Sequence, residues 1–385
     1  MTTAVIVDAI RTPSGRAKPG GQLAGYHPVD LLAHVLETLA ARSALDPALI
    51  DDVIGGCLSQ VGTQAVNITR NAVLAAGFPD SVPGTTIDRQ CGSSQQAATF
   101  AAQGVIAGAY DVVIACGVEL MSSHPINVAT LGEDPFGPRM QARYPEGLIG
   151  QGLSAELIAA KWSLSRDALD AFSERSHRLA ASADFSREVI AVDGVTADET
   201  VRPGTTVESL AGLKPAFYSE DAAARFPQID WRVTAGNSSP LTDGASAVLI
   251  MSEERAVSLG LTPRARFHSF AVTGSDPIEM LMGVVPATAK VLDRAGLSVG
   301  DIDTFEVNEA FAAVPLAWQA ETGADPSRVN PRGGAIALGH ALGSSGTRLL
   351  TTMLTTLEQS GDRLGLQVMC EGGGMANATI VERLG

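Results

Sequence analysis

The sequence predicts an α/β fold in which strands alternate with helices around a largely parallel sheet. Short apolar runs that end at glycine alternate with segments whose apolar residues recur at helical spacing. The same order of elements occurs near both ends of the 385-residue chain. This length exceeds one ordinary core, and the 45% of hydrophobic residues supply enough apolar side chains for two or three packed units.

The first part of the chain contains four predicted strands and three predicted helices. The strands cover residues 4–8, 50–55, 85–88 and 111–116, and the helices cover residues 29–43, 69–76 and 93–107. Val5, Ile6 and Val7 give the opening strand its apolar, β-branched character. Gly77 and Gly108 follow the second and third helices, where glycine is the common terminator.

The last part of the chain repeats this order. Helices are predicted at residues 287–295, 310–319 and 345–359, and strands at 303–307 and 366–370. Pairing Asp51 with Asp303, Cys91 with His340, and Cys116 with Cys370 gives offsets of 252, 249 and 254 residues. Offsets this similar favour a duplicated unit, although any two α/β segments share this general order.

The segment between the two parts, residues 122–240, has a different character. It is rich in proline and glycine and carries two predicted helices, at residues 154–162 and 165–181. An insertion after a strand of an α/β sheet commonly covers the ligand site. We therefore expect an N-terminal half at residues 1–121 and 241–263, an inserted loop domain at 122–240, and a C-terminal half at 264–385.

Composition excludes several classes of function. Forty-two acidic residues against 27 basic ones give a net charge of −15, and no basic tract appears, so we expect no nucleic-acid partner. The longest apolar runs, such as residues 112–118, are too short to cross a bilayer. Four scattered cysteines argue against a disulfide scaffold, and no motif predicts a metal site. The first residues lack a leader pattern, so we expect a cytoplasmic protein.

Cys91 is the first candidate for chemistry. It follows a predicted strand, and Gly92-Ser93-Ser94 opens a helix whose N-terminus should lower the pKa of the thiol. The glycine leaves the backbone approachable, so a free amide there could hold an oxyanion. A buried structural cysteine is the alternative, but this context favours a nucleophile.

His340 lies in the glycine-rich string GGAIALGHALG at residues 333–343. A histidine in so tight a segment is predicted to act as a base or as a hydrogen-bond donor, while a loop histidine satisfied by the backbone is the alternative. The repeat places His340 and Cys91 at equivalent positions of the two halves. If the halves face each other, both side chains would converge on one crevice.

Cys370 ends an apolar strand and precedes Glu371 and three glycines, residues 372–374. A second thiol there could relay a proton, and the glycine amides could stabilise an oxyanion. A core cysteine at a strand end is an equally open interpretation.

Asn308, in the string NEAF at residues 308–311, ends another predicted strand and could either orient a water or cap a helix. Cys57 and Cys116 lie in contexts that favour core packing. Two cysteines, one histidine and one asparagine on glycine-rich segments therefore indicate metal-free acyl transfer through a thioester.

Seven strings along the chain carry a family resemblance. They are VDAIRTP at 7–13, CGSSQQA at 91–97, GVELMS at 117–122, TAGNSS at 234–239, NEAF at 308–311, GGAIALGHALG at 333–343 and CEGGG at 370–374. In this order, over essentially the whole chain, they resemble the thiolase family of acetyl-CoA acetyltransferases and 3-ketoacyl-CoA thiolases. The resemblance implies two duplicated α/β halves in a five-layered α-β-α-β-α core with an inserted loop domain.

The resemblance also implies a reaction and a role for each candidate residue. Acyl groups would pass between an enzyme thioester and CoA or acetyl-CoA, with cleavage or formation of a 3-oxoacyl-CoA by Claisen chemistry. Cys91 would be acylated, His340 would take its proton, and Cys370 would move the proton at the carbon alpha to the substrate carbonyl. One oxyanion site would use His340 and Asn308 through a water, and the other would use the backbone amides of Cys91 and Gly372.

The resemblance further implies that CoA lies on the inserted domain as a substrate, with no permanently bound cofactor. Arg202 resembles the arginine near the adenine and phosphates, and Ser209 resembles the serine beside the adenine. Ser239 resembles the serine that holds the pantetheine arm. Arg202 would supply the local positive charge that an acidic protein needs for this ligand, while a solvated surface arginine is the alternative. Related chains assemble, so we expect a homodimer or homotetramer.

The chain departs from the family pattern at several positions. Ala341 stands where proline is usual, and Pro240 stands where glycine is common. Residues 217–234 form a longer stretch than in short biosynthetic members, which also have a histidine where this chain has Gly150. These segments lie near the acyl pocket in the family. The departures therefore favour a degradative thiolase for longer or bulkier acyl chains, including the actinobacterial type that acts on steroid side chains.

Three alternatives compete with the thiolase interpretation. A β-ketoacyl synthase would pair its cysteine with two histidines, or with histidine and asparagine, and would lack a cysteine at the position of Cys370. A catalytically silent binding subunit would not need Cys91, His340, Asn308 and Cys370 together. A Cys/His hydrolase would need a further group that activates water, and none is evident beyond Asn308.

Overall fold

The structure is a computed structural model, and it describes residues 2–385. The strands within this range are β1 (Ala4–Arg11), β2 (Gly15–Arg16), β3 (Asp52–Gly56), β4 (Gly84–Ile87), β5 (Val112–Leu120), β6 (Thr242–Ser252), β7 (Ala265–Gly274), β8 (Thr304–Val307), β9 (Leu364–Glu371) and β10 (Met375–Arg383). The α-helices are α1 (Pro28–Arg42), α2 (Ile68–Ala75), α3 (Ser93–Ile106), α4 (Gly137–Arg143), α5 (Gln151–Lys161), α6 (Arg166–Ser182), α7 (Val207–Ala211), α8 (Glu220–Arg225), α9 (Glu253–Ser258), α10 (Val284–Ala295), α11 (Ala313–Thr322), α12 (Ala335–Leu338) and α13 (Ser345–Ser360).

The strands follow the order β4-β3-β5-β6-β1-β7-β10-β9-β8, and β2 pairs with β6. Strand β3 runs parallel to β4 and β5, and β8 runs parallel to β9. All other pairs are antiparallel, and each of them contains β6, β7 or β10. The prediction of a largely parallel sheet is therefore wrong, because these three strands were not recognised in the sequence.

The strand register supports the predicted repeat and corrects its alignment. Asp52 pairs with Val113, and Thr304 pairs with Gly365, so both parallel pairs correspond at an offset of 252 residues. Helices α3 and α13 begin at the same offset. At this offset Cys116 corresponds to Val368 and not to Cys370. Cys91 lies two residues before the start of α3, whereas His340 lies five residues before the start of α13. The two residues therefore occupy neighbouring but not identical positions of the repeat.

The two halves of the sheet form separate layers. They meet only at a short antiparallel pairing of β1 with β7, where Val5 and Ile6 face Arg266 and Ala265. Helices α3 and α13 share a central core with the inner faces of both halves. The outer core of the first half contains α1 and α2, and that of the second half contains α10 and α11. These layers confirm the expected α-β-α-β-α order.

The chain between β5 and β6 carries α4 to α8 and packs on the second half. Ala155 and Ile158 of α5 belong to the same buried cluster as β8 and β9. An ion-paired arginine also ties this segment to the first half, because the buried Arg11 of β1 contacts Glu188 at 2.8 Å and Asp198 at 2.7 Å. The domain limits at residues 121, 240 and 263 stay a prediction. Within residues 2–385, no helix combines the length and apolarity needed to cross a bilayer.

Candidate active site

Cys91 lies in the turn between β4 and α3. Gln90, directly before it, has a φ of 50°, in the left-handed region that costs a non-glycine residue conformational energy. The Oγ of Ser93 holds this turn by accepting from the N–H of Arg89 at 2.9 Å and donating to the carbonyl of Gln90 at 2.6 Å. The local hydrogen bonds therefore fix the thiol at the entrance of the central helix.

The Cys91 thiol is 2% exposed, and burial raises its pKa to about 12. A hydrogen bond from Gln151 lowers the pKa, the carboxyl group of Glu371 raises it, and the N–H groups of Gly372 and of Cys91 itself lower it. The expectation that the helix start leaves this thiol with a lowered pKa is therefore wrong, because loss of hydration outweighs the donors. A protonated thiol needs a base that takes its proton as it attacks.

The hydrogen bonds of His340 suit its imidazole to accept a proton. The Oγ of Ser345 lies 2.6 Å from His340 Nδ1 and donates its own proton to the carbonyl of Ala341 at 2.8 Å. The hydroxyl must then accept from Nδ1–H, which leaves the lone pair on Nε2. The backbone of His340 is extended, bridges to Leu241, and donates to the carbonyl of Pro240 at 3.2 Å. The pKa of His340 is lowered to about 3, mainly by burial and to a smaller extent by the positive charge of Arg348. The imidazole is therefore neutral at pH 7.

Asn308 connects the histidine to the second cysteine. Its Nδ2 lies 3.4 Å from His340 Nε2. Burial raises the pKa of Cys370, a negative charge on Cys91 raises it further, and a hydrogen bond from Asn308 lowers it. The Oδ1 of Asn308 is buried without a partner in the described chain, as expected for an atom that faces a water or a substrate group.

Gly372 completes the cluster on the side of β9. Its N–H lowers the pKa of the Cys91 thiol. Gly373 and Gly374 have φ of 80° and 77°, which side-chain-bearing residues rarely adopt, so the turn after Cys370 requires glycine. The structure thus brings Cys91, His340, Asn308, Cys370 and Gly372 together, while their catalytic roles remain predictions.

The three predicted CoA contacts belong to the inserted segment, where Arg202 and Ser209 are exposed and Ser239 is partly buried. The N–H of Ser239 donates to the carbonyl of Ala310 at 2.9 Å, which ties it to the segment that begins with Asn308. A Cβ on Gly236 would lie 2.6 Å from Leu210 Cδ2, so the strip 234–239 packs on α7.

Helix α7 carries the second of these residues. The Oγ of Ser209 caps α7 by accepting from the N–H of Thr206 at 3.1 Å and donating to its carbonyl at 2.7 Å. The side chain of Arg202 is exposed. The pKa of His177 is lowered to about 4, mainly by the burial of His177 itself and to a smaller extent by the charge of Arg202. The positive charge therefore lies at the surface, near the N-terminal end of α7.

Two buried carboxyl groups hold the segment that carries His340, and sequence reasoning did not assign them this role. Glu119 accepts from the N–H groups of Leu58, Ser59 and Gly343 at 2.8, 3.1 and 2.9 Å, and from Gln64 Nε2 at 2.7 Å. It joins the loop after β3 to the end of the His340 segment.

Glu309 holds the start of the same segment. It accepts from Ser176 Oγ at 2.6 Å, from Asn330 Nδ2 at 2.8 Å and from the N–H of Ile336 at 3.1 Å. A Cβ on Gly334 would lie 2.3 Å from the Glu309 carboxyl carbon, so this approach requires glycine. Both acids lie in strings that carry the family resemblance, which is the signal that could have marked them.

Ser345 and Gln151 are the other residues that sequence reasoning missed. Ser345 opens the helix predicted at residues 345–359, and no role in the site was predicted for it. Gln151 lies in the run Gly150-Gln151-Gly152, and its Nε2 is 3.8 Å from Cys91 Sγ. Nothing in the sequence indicates that contact.

A cluster that contains a buried thiol, a neutral histidine, an asparagine and a second thiol suits acyl transfer through a cysteine thioester. The family model described as "Thiolase, N-terminal domain" matches residues 4–254, and "Thiolase, C-terminal domain" matches residues 261–383. The chain therefore belongs to the thiolase family, has the thiolase fold and is an acyltransferase.

Similar proteins include two curated thiolases and one solved structure. A steroid 3-ketoacyl-CoA thiolase of Mycobacterium tuberculosis is 48% identical, over 100% of this chain and 95% of that protein. A 3-ketoacyl-CoA thiolase of Erwinia tasmaniensis is 45% identical over the full length of both. The crystal structure of the Bacillus anthracis acetyl-CoA acetyltransferase superposes with a TM-score of 0.87 at 37% identity, covering 100% of this chain and 99% of that one.

Proposed function

We propose that this thiolase cleaves a 3-oxoacyl-CoA with CoA through an acyl-enzyme on Cys91. The observation that carries the proposal is a cluster in which Asn308 and Cys370 connect a protonated, buried Cys91 thiol to a neutral His340, whose Nδ1–H is held by Ser345 at 2.6 Å. A thiol of this kind cannot attack without a base, and the imidazole is in the protonation state that accepts a proton.

The proposed steps assign a role to each of these groups. His340 Nε2 takes the proton of Cys91 as the sulfur attacks the 3-oxo carbon, and the N–H groups of Cys91 and Gly372 hold the resulting oxyanion. The bond between C2 and C3 then breaks, and the acetyl-CoA enolate receives a proton from Cys370 while His340 and Asn308 hold its oxygen. In the second half, Cys370 takes the proton of the CoA thiol, whose sulfur displaces Cys91, and His340 returns the proton to Cys91.

We further propose that the acyl substrate is bulky, as in steroid side-chain degradation. The mycobacterial relative, at 48% identity, is named a steroid thiolase. Gly150 has open space around the position of its missing side chain. Phe217 and Phe311, whose ring centroids are 5.8 Å apart, offer an apolar wall beside Asn308. An acetoacetyl substrate would use little of this surface.

The placement of the ligand, the assembly and the cell compartment are also proposals. CoA would run from Ser239, at the pantetheine arm, to Ser209 and Arg202, on an inserted domain at residues 122–240. The outer edge of β4 ends the sheet, and Val66 and Phe100 expose 85% and 42% of their surface, which supports a homodimer or homotetramer. Four unpaired cysteines support a reducing, cytoplasmic compartment.

The test is CoA-dependent cleavage of a 3-oxoacyl-CoA panel that runs from acetoacetyl to long-chain and steroid-like thioesters. We expect turnover that Cys91→Ala abolishes and that Cys116→Ala, a buried cysteine outside the site, retains. Mass spectrometry should show that Cys370→Ala still becomes acylated by acyl-CoA but performs no carbon–carbon chemistry. Acylation that persists in Cys91→Ala contradicts the mechanism. Bound CoA without turnover on the whole panel supports a silent binding subunit.

A further inference from the structure

The inserted segment places one side chain directly on the nucleophile. Gln151, the first residue of α5, is half-buried, and its Nε2 lies 3.8 Å from Cys91 Sγ. This contact joins the segment that covers the site to the atom that reacts. The N–H groups of Cys91 and Gly372 also lower the pKa of this thiol, so Gln151 adds a donor from a different part of the chain.

The packing of α5 fixes the direction of this amide. Ser154 Oγ donates to the carbonyl of Glu279 at 2.8 Å, and Ala155 is fully buried in the core of the second half. A Cβ on Gly152 would lie 2.2 Å from the ring of Phe217, so the first turn of α5 fits closely beneath that ring. The helix start cannot rotate without breaking these contacts, and the glutamine is therefore presented to the sulfur by a rigid element.

The surroundings of the sulfur explain why a donor matters there. Glu371 is fully buried, neither carboxyl oxygen has a partner in the described chain, and Oε1 lies 1.9 Å from the Cβ position that Gly92 lacks. Burial raises the pKa of Glu371 to about 9, with Arg89 lowering it and Asp88 raising it, so this group is neutral at pH 7. Neither Cys370 nor the neutral His340 carries positive charge toward the thiol before reaction.

We propose that Gln151 is a further catalytic residue, whose amide donates to the Cys91 sulfur whenever that atom carries negative charge. The two occasions are the attack on the substrate carbonyl and the departure of Cys91 when the CoA thiol takes the acyl group. A hydrogen bond from an uncharged amide strengthens as the acceptor becomes an anion. The role in turnover rests on the proposed thiolase reaction, whereas the effect on the free thiol does not.

The test is the rate of Cys91 alkylation by iodoacetamide as a function of pH, measured on the intact chain without substrate. Mass mapping of the Cys91 peptide identifies the modified residue, and Cys91→Ala supplies the blank. Gln151→Met keeps an unbranched side chain of similar length and removes the donor. We expect this variant to react about tenfold more slowly at each pH below the thiol pKa, which corresponds to a pKa about one unit higher.

Two further variants test the direction of the charge effect on the alkylation rate and provide a control. Gln151→Glu should react more slowly still where its carboxyl group is ionised, because the new charge opposes the thiolate. Gln141→Met removes an exposed glutamine of the same segment, which contacts Asp134, and should react as the wild type does. Circular dichroism and thermal melts verify that each variant is folded.

The outcomes separate this inference from the function on which it builds. An alkylation rate for Gln151→Met within twofold of the wild type overturns the inference, whatever happens to turnover. Slowed alkylation with no cleavage of any 3-oxoacyl-CoA by the wild type supports the donor role and contradicts the proposed function. Slowed alkylation with a matching loss of kcat/KM, and an unchanged KM for CoA, supports both.

Discussion

Replacing Ser345 by alanine removes the only protein acceptor that the described chain offers to Nδ1–H of His340. The imidazole is 4% exposed, so water does not readily replace the hydroxyl group. Leaving a buried donor unsatisfied costs about 1–3 kcal/mol. This cost falls on the tautomer that keeps the lone pair on Nε2, which is the tautomer that can deprotonate Cys91. If the whole cost appears in the transition state, kcat/KM falls by about 5- to 150-fold.

The assay is the steady-state cleavage of the best substrate of the 3-oxoacyl-CoA panel by Ser345→Ala. Thr355→Val is the matched control, because it removes a buried hydroxyl from the same helix that donates only to the carbonyl of Thr351. The loss should lie mainly in kcat, since the partners of the Ser345 hydroxyl are the His340 ring and the carbonyl of Ala341. A value of kcat/KM within twofold of the wild type would refute the reasoning, and an equal loss in Thr355→Val would show that the effect is structural.

Three other predictions concern the same loops. Ala341 has a φ of −74°, which proline can adopt, and it follows an extended His340. Ala341→Pro should therefore increase the free energy of unfolding by about 0.4–1 kcal/mol in a denaturant titration. A decrease would indicate a backbone clash. Because the folded pKa of His340 is about 3, kcat/KM should stay level as the pH falls from 7 to about 5, and a decline centred near 6.5 would contradict the assignment. Glu119→Gln should lower the free energy of unfolding by about 2–3 kcal/mol, because four N–H donors lose a carboxylate acceptor. Glu371→Gln should change the free energy of unfolding by less than about 1 kcal/mol, because neither of its carboxyl oxygens has a partner in the described chain. Equal losses in the two variants would contradict this account.

The sequence predicts the elements with strong local signals. The helix predicted at residues 93–107 lies at Ser93–Ile106, and the one predicted at 345–359 lies at Ser345–Ser360. Strand β6 (Thr242–Ser252) was missed because it opens with Thr, Asp, Gly, Ala and Ser, a composition typical of turns. These residues become a strand because neighbours on both sides bury them, as when Ser246 Oγ pairs with Thr347 Oγ1 at 2.6 Å. The polar–apolar alternation of β7 (Ala265–Gly274) was available and was not recognised.

The site divides in the same way. Cys91 and His340 were identified because glycine-rich segments around a chemically active residue are a local pattern. The contacts of Gln151 with Cys91 and of Glu119 with Gly343 join residues that are 60 and 224 positions apart, so they depend on the tertiary fold. The predicted direction of the Cys91 pKa shift was wrong because it, too, depends on the tertiary fold. A helix start is visible in the sequence, but the depth at which it is buried is not.

The repeat explains how one half of the chain supports the reactive loop of the other. At the structural offset of 252 residues, Glu119 at the end of β5 corresponds to Glu371 at the end of β9. Glu119 belongs to the first half and accepts from Gly343 in the loop of His340. Glu371 belongs to the second half and lies against Gly92 in the loop of Cys91.

The arrangement is crossed, so neither half can build the site alone, and the two carboxyl groups differ in a way that suits their loops. Glu119 accepts from four N–H donors and holds the segment of His340, which must keep its orientation if it acts as the proposed base. Glu371 has no donor in the described chain and is neutral at pH 7, next to the loop of the Cys91 sulfur, which becomes an anion in the proposed reaction. A charged group at that position would oppose the thiolate. Equivalent positions of the two halves therefore carry a carboxyl group that anchors the loop of His340 and a neutral carboxyl group that adds no charge to the loop of Cys91.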